Sequence, residues 1–207
     1  MTNAEPAVSA NVLDRYTAQD LGFYKAVRLG DGAVLRPQPV SLEAALDEST
    51  ATVLATPIGV RAGRLIHDLQ FVDVELRIAE VLHGALRPEL KGVVQVEFPV
   101  AFLPAPVQPA VDQMSSHLPK NPAVWLLRWD GKPPATRKPG VPAEDPTVDK
   151  TKYKLVHTNC GVFTQGEKGV VAATAQSGEG HEPTSGAQSE AQSLPKLSDL
   201  VTLVRKK

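Results

Sequence analysis

His157 and Cys160, within His157-Thr158-Asn159-Cys160-Gly161, are the one local pair in this sequence with the residue types of a base and a nucleophile. A thiol attacks as its thiolate, so a histidine within reach is what such chemistry requires. On a regular strand, positions i and i+3 face opposite sides, and the pair would need a turn at Asn159 to converge. No flanking signature of a cysteine hydrolase accompanies them, and no third residue is marked to orient the histidine. The alternative is a half-buried structural thiol at a strand end.

Other chemistries have less to stand on. The five histidines, His67, His83, His117, His157 and His181, occur singly, with no H-x-H or H-E-x-x-H spacing, so no metal site is expected. Asp73 and Glu75 share a strand face about 7 Å apart, a spacing open to paired carboxylates, but Arg77 follows on that face. A solvated face explains Asp73, Glu75, Arg77, Gln95 and Glu97. No G-x-S-x-G, P-loop or dinucleotide-binding glycine motif occurs, and no cofactor is expected. Trp125 and Trp129 lie on an apolar strand beside Arg128, which favours core packing over base stacking, so no nucleic acid is expected as a partner. Phe23, Tyr24, Val27 and Leu29 would form an apolar patch if their segment did not fold back, and these four are the candidate partner-binding residues.

Composition bounds the answer. The chain has 207 residues, with 22 Lys plus Arg against 23 Asp plus Glu, so no global field draws it to nucleic acid or an anionic bilayer. A single cysteine excludes an intramolecular disulfide framework. No basic and apolar leader opens the sequence and no apolar run is long enough to span a bilayer, so a cytoplasmic location is expected, export by another route remaining compatible. Eighteen prolines and 15 glycines break the chain into short pieces, as in a β domain with long connections.

The elements that must position these residues are mainly strands. Val72-Asp73-Val74-Glu75-Leu76-Arg77-Ile78 and Val94-Gln95-Val96-Glu97-Phe98 alternate apolar and polar, the mark of a two-faced sheet. The alternation breaks at Ala79-Glu80-Val81-Leu82, predicting a β-bulge, and Gly84 ends the strand. A first strand, Thr52 to Thr56, precedes Pro57, and residues 61–68 read as a polar connection. Prolines 99, 104, 106 and 109 predict an irregular loop over 99–121. Ala123 to Trp129 is apolar on both faces and should be the most buried strand. A proline-rich connection follows, then three short strands over 153–157, 161–164 and 169–172. Residues 1–40 read as an arm and a glycine-turned hairpin around Phe23 to Leu35, 41–174 as the β domain, 175–193 as a mobile linker, and 194–207 as a helix docking back on the domain. Ser41 caps a short helix, Leu42 to Glu48, ahead of the first strand.

Over about residues 50–173 this order resembles bacterial small β-barrels of the OB or netrin/TIMP-like kind, in which a V-x-V strand ending at glycine precedes a second V-x-V strand. The resemblance implies a five- or six-stranded barrel and, in many relatives, binding rather than catalysis. The first expectation is therefore a non-catalytic binding module with an unidentified protein partner. A cysteine- or metal-dependent enzyme is the second and single-strand nucleic-acid binding on the barrel face the third. The oligomeric state is left open.

Overall fold

The alternating runs form long paired strands, and the computed structural model describes them within residues 8–27, 38–66, 68–90, 92–102, 105–129, 149–175 and 186–207. Helices α1 (Ala10–Leu13) and α2 (Ala18–Phe23) lead into a 3-10 turn over Tyr24–Val27, and α3 (Leu42–Glu48) follows. Strands β1 (Ala51–Ile66), β2 (Leu69–Gly84) and β3 (Val93–Phe102) come next. After α4 (Gln108–Ser116) the chain makes β4 (Ala123–Arg128), β5 (Tyr153–Leu155), β6 (Val162–Gln165) and β7 (Val170–Ala172), then α5 (Gly186–Gln192) and α6 (Leu197–Arg205). The architecture is mainly β, with seven strands in one sheet.

Five of these strands close into a hydrogen-bonded ring, β1-β2-β3-β5-β4, because β1 pairs with β4 as well as β2. All ring pairings are antiparallel except β3 with β5, which is parallel and spans only Val96↔Tyr153 and Glu97↔Lys154. Strands β6 and β7 extend the sheet beyond β4. The bulge lies where the alternation fails: β2 carries an unpaired residue at Leu82 and another at Ala79, between the His83, Val81, Glu80 and Ile78 pairings with β1. Each extra residue increases local twist, which lets the pair curl. Gly84 ends β2 at φ +70°, and a Cβ there would lie 2.4 Å from the Thr50 carbonyl oxygen, so glycine is required for both reasons.

Two cores result. Val53, Val72, Val74, Leu76, Val96, Phe98, Trp125 and Leu127 fill the ring, and Val111 and Met114 of α4 join them. The opposite faces of β4 and β6, through Val124, Leu126 and Phe163, pack with α3, α5 and α6 in a second cluster. The Trp strand is thus buried on both sides, odd residues inward and even residues under helices. Helix α6 presents Leu197, Leu200, Val201 and Val204 to that cluster, and its first turn is held from outside: Asp14 accepts from the Ser198 N–H at 2.9 Å and Gln165 from the Leu197 N–H at 2.8 Å.

Four expectations are corrected. Residues 23–27 are helical, not the first half of a hairpin; Asp20, Phe23, Tyr24 and Val27 follow i, i+3, i+4, i+7 spacing and share the buried side. The rest of the expected hairpin lies outside the described residues. Strand β1 runs through Pro57 to Ile66, because beyond Ala55 it pairs, among the described residues, only with β2, and an edge tolerates a residue without an N–H. The proline-rich stretch contains α4, whose Pro109 occupies the first turn, where no intrahelical donor is needed. Of the expected mobile linker, residues 186–192 form α5 with Ala187, Gln188 and Ala191 buried. Small residues allow close approach there, and Glu190 accepts the Leu42 N–H at 2.8 Å. Residues 176–185 and the proline-rich connection at 130–148 lie outside the described residues.

Candidate functional site

Register places five charged residues on one rung across the ring. Arg61 pairs with Asp73, Asp73 with Glu97, Glu97 with Lys154, and Lys154 with Arg128. Directly paired residues share a face, and their neighbours Val72, Val74, Val96 and Phe98 point into the ring, so the rung lies on the outer face. The alternation predicts a solvated face. Glu75 and Arg77 are exposed as expected, whereas Asp73 is 5% and Glu97 2% exposed.

Arginines and a lysine cover those two carboxylates. Arg64 makes a bidentate pair with Glu97, at 2.7 and 2.9 Å. Lys152, just before β5, places Nζ 2.9 Å from both oxygens of Asp73 and 3.8 Å from Glu97. Arg61 adds a 3.3 Å contact to Asp73 and a 2.8 Å hydrogen bond to the Gln95 side chain. The hydrogen bond to Glu97 raises the Arg64 pKa above its ordinary value, burial opposing. Burial alone would raise Asp149 at the rim, but hydrogen bonds from Thr151, then Lys152, bring it below the usual carboxylate range. Sequence reasoning missed this cluster because it took residues 61–68 for a connection. Once β1 continues, Arg61 falls opposite Asp73.

The rung ends in a cavity. Beyond Glu97, β3 and β5 part, because the Val156 N–H turns to the Leu126 carbonyl of β4 at 3.0 Å. The wedge encloses about 260 Å³, walled by Phe71, Phe98, Pro99, Leu155 and Val156, with Arg128, Lys154, His157, Thr158 and the already paired Glu97 as its polar groups. Its charged groups are the cations Arg128 and Lys154 and the carboxylate of Glu97, which Arg64 engages. Such a site combines apolar walls with a few polar groups, the general form of a ligand pocket. At the other end of the rung, Gly59, Val60, Arg61, Asp73, Glu75 and Gln95 line a smaller polar cleft of about 140 Å³.

The residues singled out from sequence are dispersed. Cys160 is fully buried in the second core, so a substrate would reach its sulfur only if that core opened. His157 lines the wedge, and its Nδ1 accepts the Asn159 N–H at 3.2 Å. His83 is on β2 and half-buried, and His117 closes α4 with its ring against Gly22, where a Cβ would meet it at 2.7 Å. His67 and His181 lie outside the described residues. Among the described residues, no three His, Cys, Asp or Glu side chains are grouped to hold a metal, and no helix is long and apolar enough to cross a membrane. Phe23, Tyr24 and Val27 are each at most 1% exposed and cover one end of the ring, so they offer no surface to a partner in this structure. Leu29 lies outside the described residues. Trp129 is half-buried, with the Arg87 guanidinium 4.3 Å over its ring.

Burial pushes the His157 imidazole below its ordinary 6.5, with Glu48 opposing weakly. The folded chain keeps it neutral where the unfolded chain would take up a proton. The associated stability is complete above about pH 6.5 and is lost as pH falls from there towards the lower folded pKa. Urea midpoints measured across that window should fall with acidification, and His157→Gln should flatten the fall; an unchanged slope in the variant would contradict the assignment.

No protein-family profile, curated protein or solved structure matches the chain.

Proposed function

We propose that the five-stranded ring is a closed barrel of the OB or netrin/TIMP-like kind and that the protein is a non-catalytic binding module whose ligand seats in the wedge between β3 and β5. The circular strand order, with one parallel pairing and a helix between β3 and β4, supports the barrel. The wedge carries the binding reading: a concave, mostly apolar site with a few convergent polar groups is the usual form of a ligand pocket. The enclosure of Cys160 favours this over cysteine chemistry.

The dye 8-anilinonaphthalene-1-sulfonate tests it, since its rings match the apolar walls. Titration into the folded protein should give a saturable fluorescence rise at one site per chain. Thr158 is half-exposed on the wall, so Thr158→Trp should fill the wedge, leave the melting temperature unchanged and abolish the rise. Equal binding by the variant, or no saturable binding by the parent, would overturn the reading.

A further inference from the structure

Resting on the wedge as the binding site, we infer that the wedge is gated by pH: the hydrogen bond from the Asn159 N–H to His157 Nδ1 latches its wall, and protonation of that nitrogen opens the latch and weakens ligand binding.

The bond fixes the proton. A backbone N–H can only donate, so Nδ1 must offer its lone pair, and the neutral ring carries its hydrogen on Nε2. A second proton has to go to Nδ1, where it would face the Asn159 N–H at 3.2 Å, donor against donor. The ring must then turn away from Asn159.

The surrounding turn decides what moves. Its base is fastened to β4 on both arms: the Val156 N–H donates to the Leu126 carbonyl at 3.0 Å, and the Gly161 carbonyl accepts from the Leu126 N–H at 2.8 Å. Its far side is fastened by Cys160 in the second core and by the Thr174 hydroxyl, which donates to the Thr158 carbonyl. The arms lie so close that a Cβ on Gly161 would sit 2.5 Å from the His157 carbonyl oxygen, so the backbone has little room to shift. What the latch holds is the His157 side chain, which is buried and lines the wedge beside Thr158. Turning the ring out of its place reshapes the wall that a ligand touches.

Charge around the ring comes from several elements. Glu97 of β3, Arg128 of β4 and Lys154 of β5 line the same wedge, and Glu48 ends α3 within electrostatic reach. Among these residue types histidine is the one that ordinarily changes charge between about pH 5 and 8, which makes His157 the switching group. Burial holds its pKa below the ordinary 6.5 against the opposing pull of Glu48. The latch is therefore closed at neutral pH and opens as the solution becomes acid.

The test is a titration of 8-anilinonaphthalene-1-sulfonate into the full chain at intervals from about pH 8 to about pH 5, with circular dichroism checking the fold at each step. Affinity should be level above about pH 6.5 and then fall, approaching about tenfold per further pH unit once His157 is protonated. The sign discriminates, because a new positive charge beside the wedge would by attraction alone strengthen binding of a sulfonate. In His157→Gln the affinity, whatever its value, should no longer vary with pH. Protection of the Asn159 amide against hydrogen exchange should drop over the same range in the parent, a readout that needs no variant. Saturable binding that holds or strengthens towards the acid end, an unaltered pH profile in the variant, or steady protection at Asn159 would overturn the inference and leave the wedge as a site. No saturable binding at any pH would overturn the wedge itself and the inference with it.

Discussion

Trp125→Ala should lower the stability of this protein by about 3–5 kcal/mol, the range for truncating a fully buried aromatic side chain. Trp125 is 0% exposed at the centre of the ring. Phe98 meets it edge-on at 5.9 Å and Tyr24 lies tilted at 6.0 Å, so it ties β4 to β3 and to the N-terminal turn together. Its Nε1 donates to the Ala55 carbonyl at 3.2 Å, and truncation would leave that acceptor in an apolar cavity. The site cannot readily collapse, because its walls are paired strands. Residues 18–27 should also loosen, since Tyr24 loses its neighbour; hydrogen exchange there should rise before that of β2. Urea unfolding followed by far-ultraviolet circular dichroism measures the loss, and Trp129 remains as a fluorescent reporter. A loss below about 1 kcal/mol, outside the expected range for such a truncation, would mean that the ring does not depend on this residue.

Where side-chain period and backbone chemistry agree, the sequence is readable. Val72 to Ile78 and Val94 to Phe98 alternate because one face is buried, and both are strands. The irregular Ala79 to Leu82 segment is where β2 carries its extra residues, and Leu197, Leu200, Val201 and Val204 lie on the buried side of α6. The failures have a common physical cause: the deciding partner is distant in sequence. Phe23, Tyr24 and Val27 fit a strand or a helix equally over so short a run, and what selects the helix is a latch 100 residues away. There Asp20 accepts the Lys120 N–H at 3.0 Å and the Asn121 side-chain amide at 2.7 Å. Helix α5 buries alanines rather than large aliphatics, so composition alone gave it no means of offsetting ordering entropy. Its stability comes from close packing on α3 and β7, which no local rule anticipates.

The candidate site was half legible for the same reason. Outward placement of Asp73 and Glu97 follows from alternation, but their burial follows from register with Arg61 and from Lys152, 79 residues beyond Asp73. His157 drew attention as a partner for Cys160 and instead lines the wedge, while Arg128 and Lys154 carried no signal before the β4–β5 pairing put them side by side. The wedge also occupies a short seam of the ring, two parallel pairings long, as short as the β4–β5 seam. A seam that short needs support from side chains, and the charged rung crosses it at Glu97.

Glu97→Ala should therefore be the most damaging change on the outer face, costing about 3 kcal/mol or more, as expected when one partner of a buried ion pair is removed. The carboxylate is fully enclosed, and its loss would leave Arg64 without its bidentate acceptor, while Lys152 would keep Asp73 at 2.9 Å and Asp149 at 3.5 Å. Arg64 keeps some access to water, about a quarter of its side chain, which places the effect at the lower end of the 3–5 kcal/mol range. Glu97→Gln retains shape and an acceptor and should cost less. Replacing Arg64 and Glu97 together by methionine should recover most of the loss, because no buried charge is then orphaned. Hydrogen exchange at Tyr153 to Leu155 should rise in Glu97→Ala ahead of global unfolding, as the β3–β5 seam opens first. If the double variant unfolded as readily as Glu97→Ala, the cost would lie in packing rather than charge. If Glu97→Ala cost under about 1 kcal/mol, the value of an exposed pair, the rung would be surface decoration and the ring would close by hydrogen bonds and the Trp125 core alone.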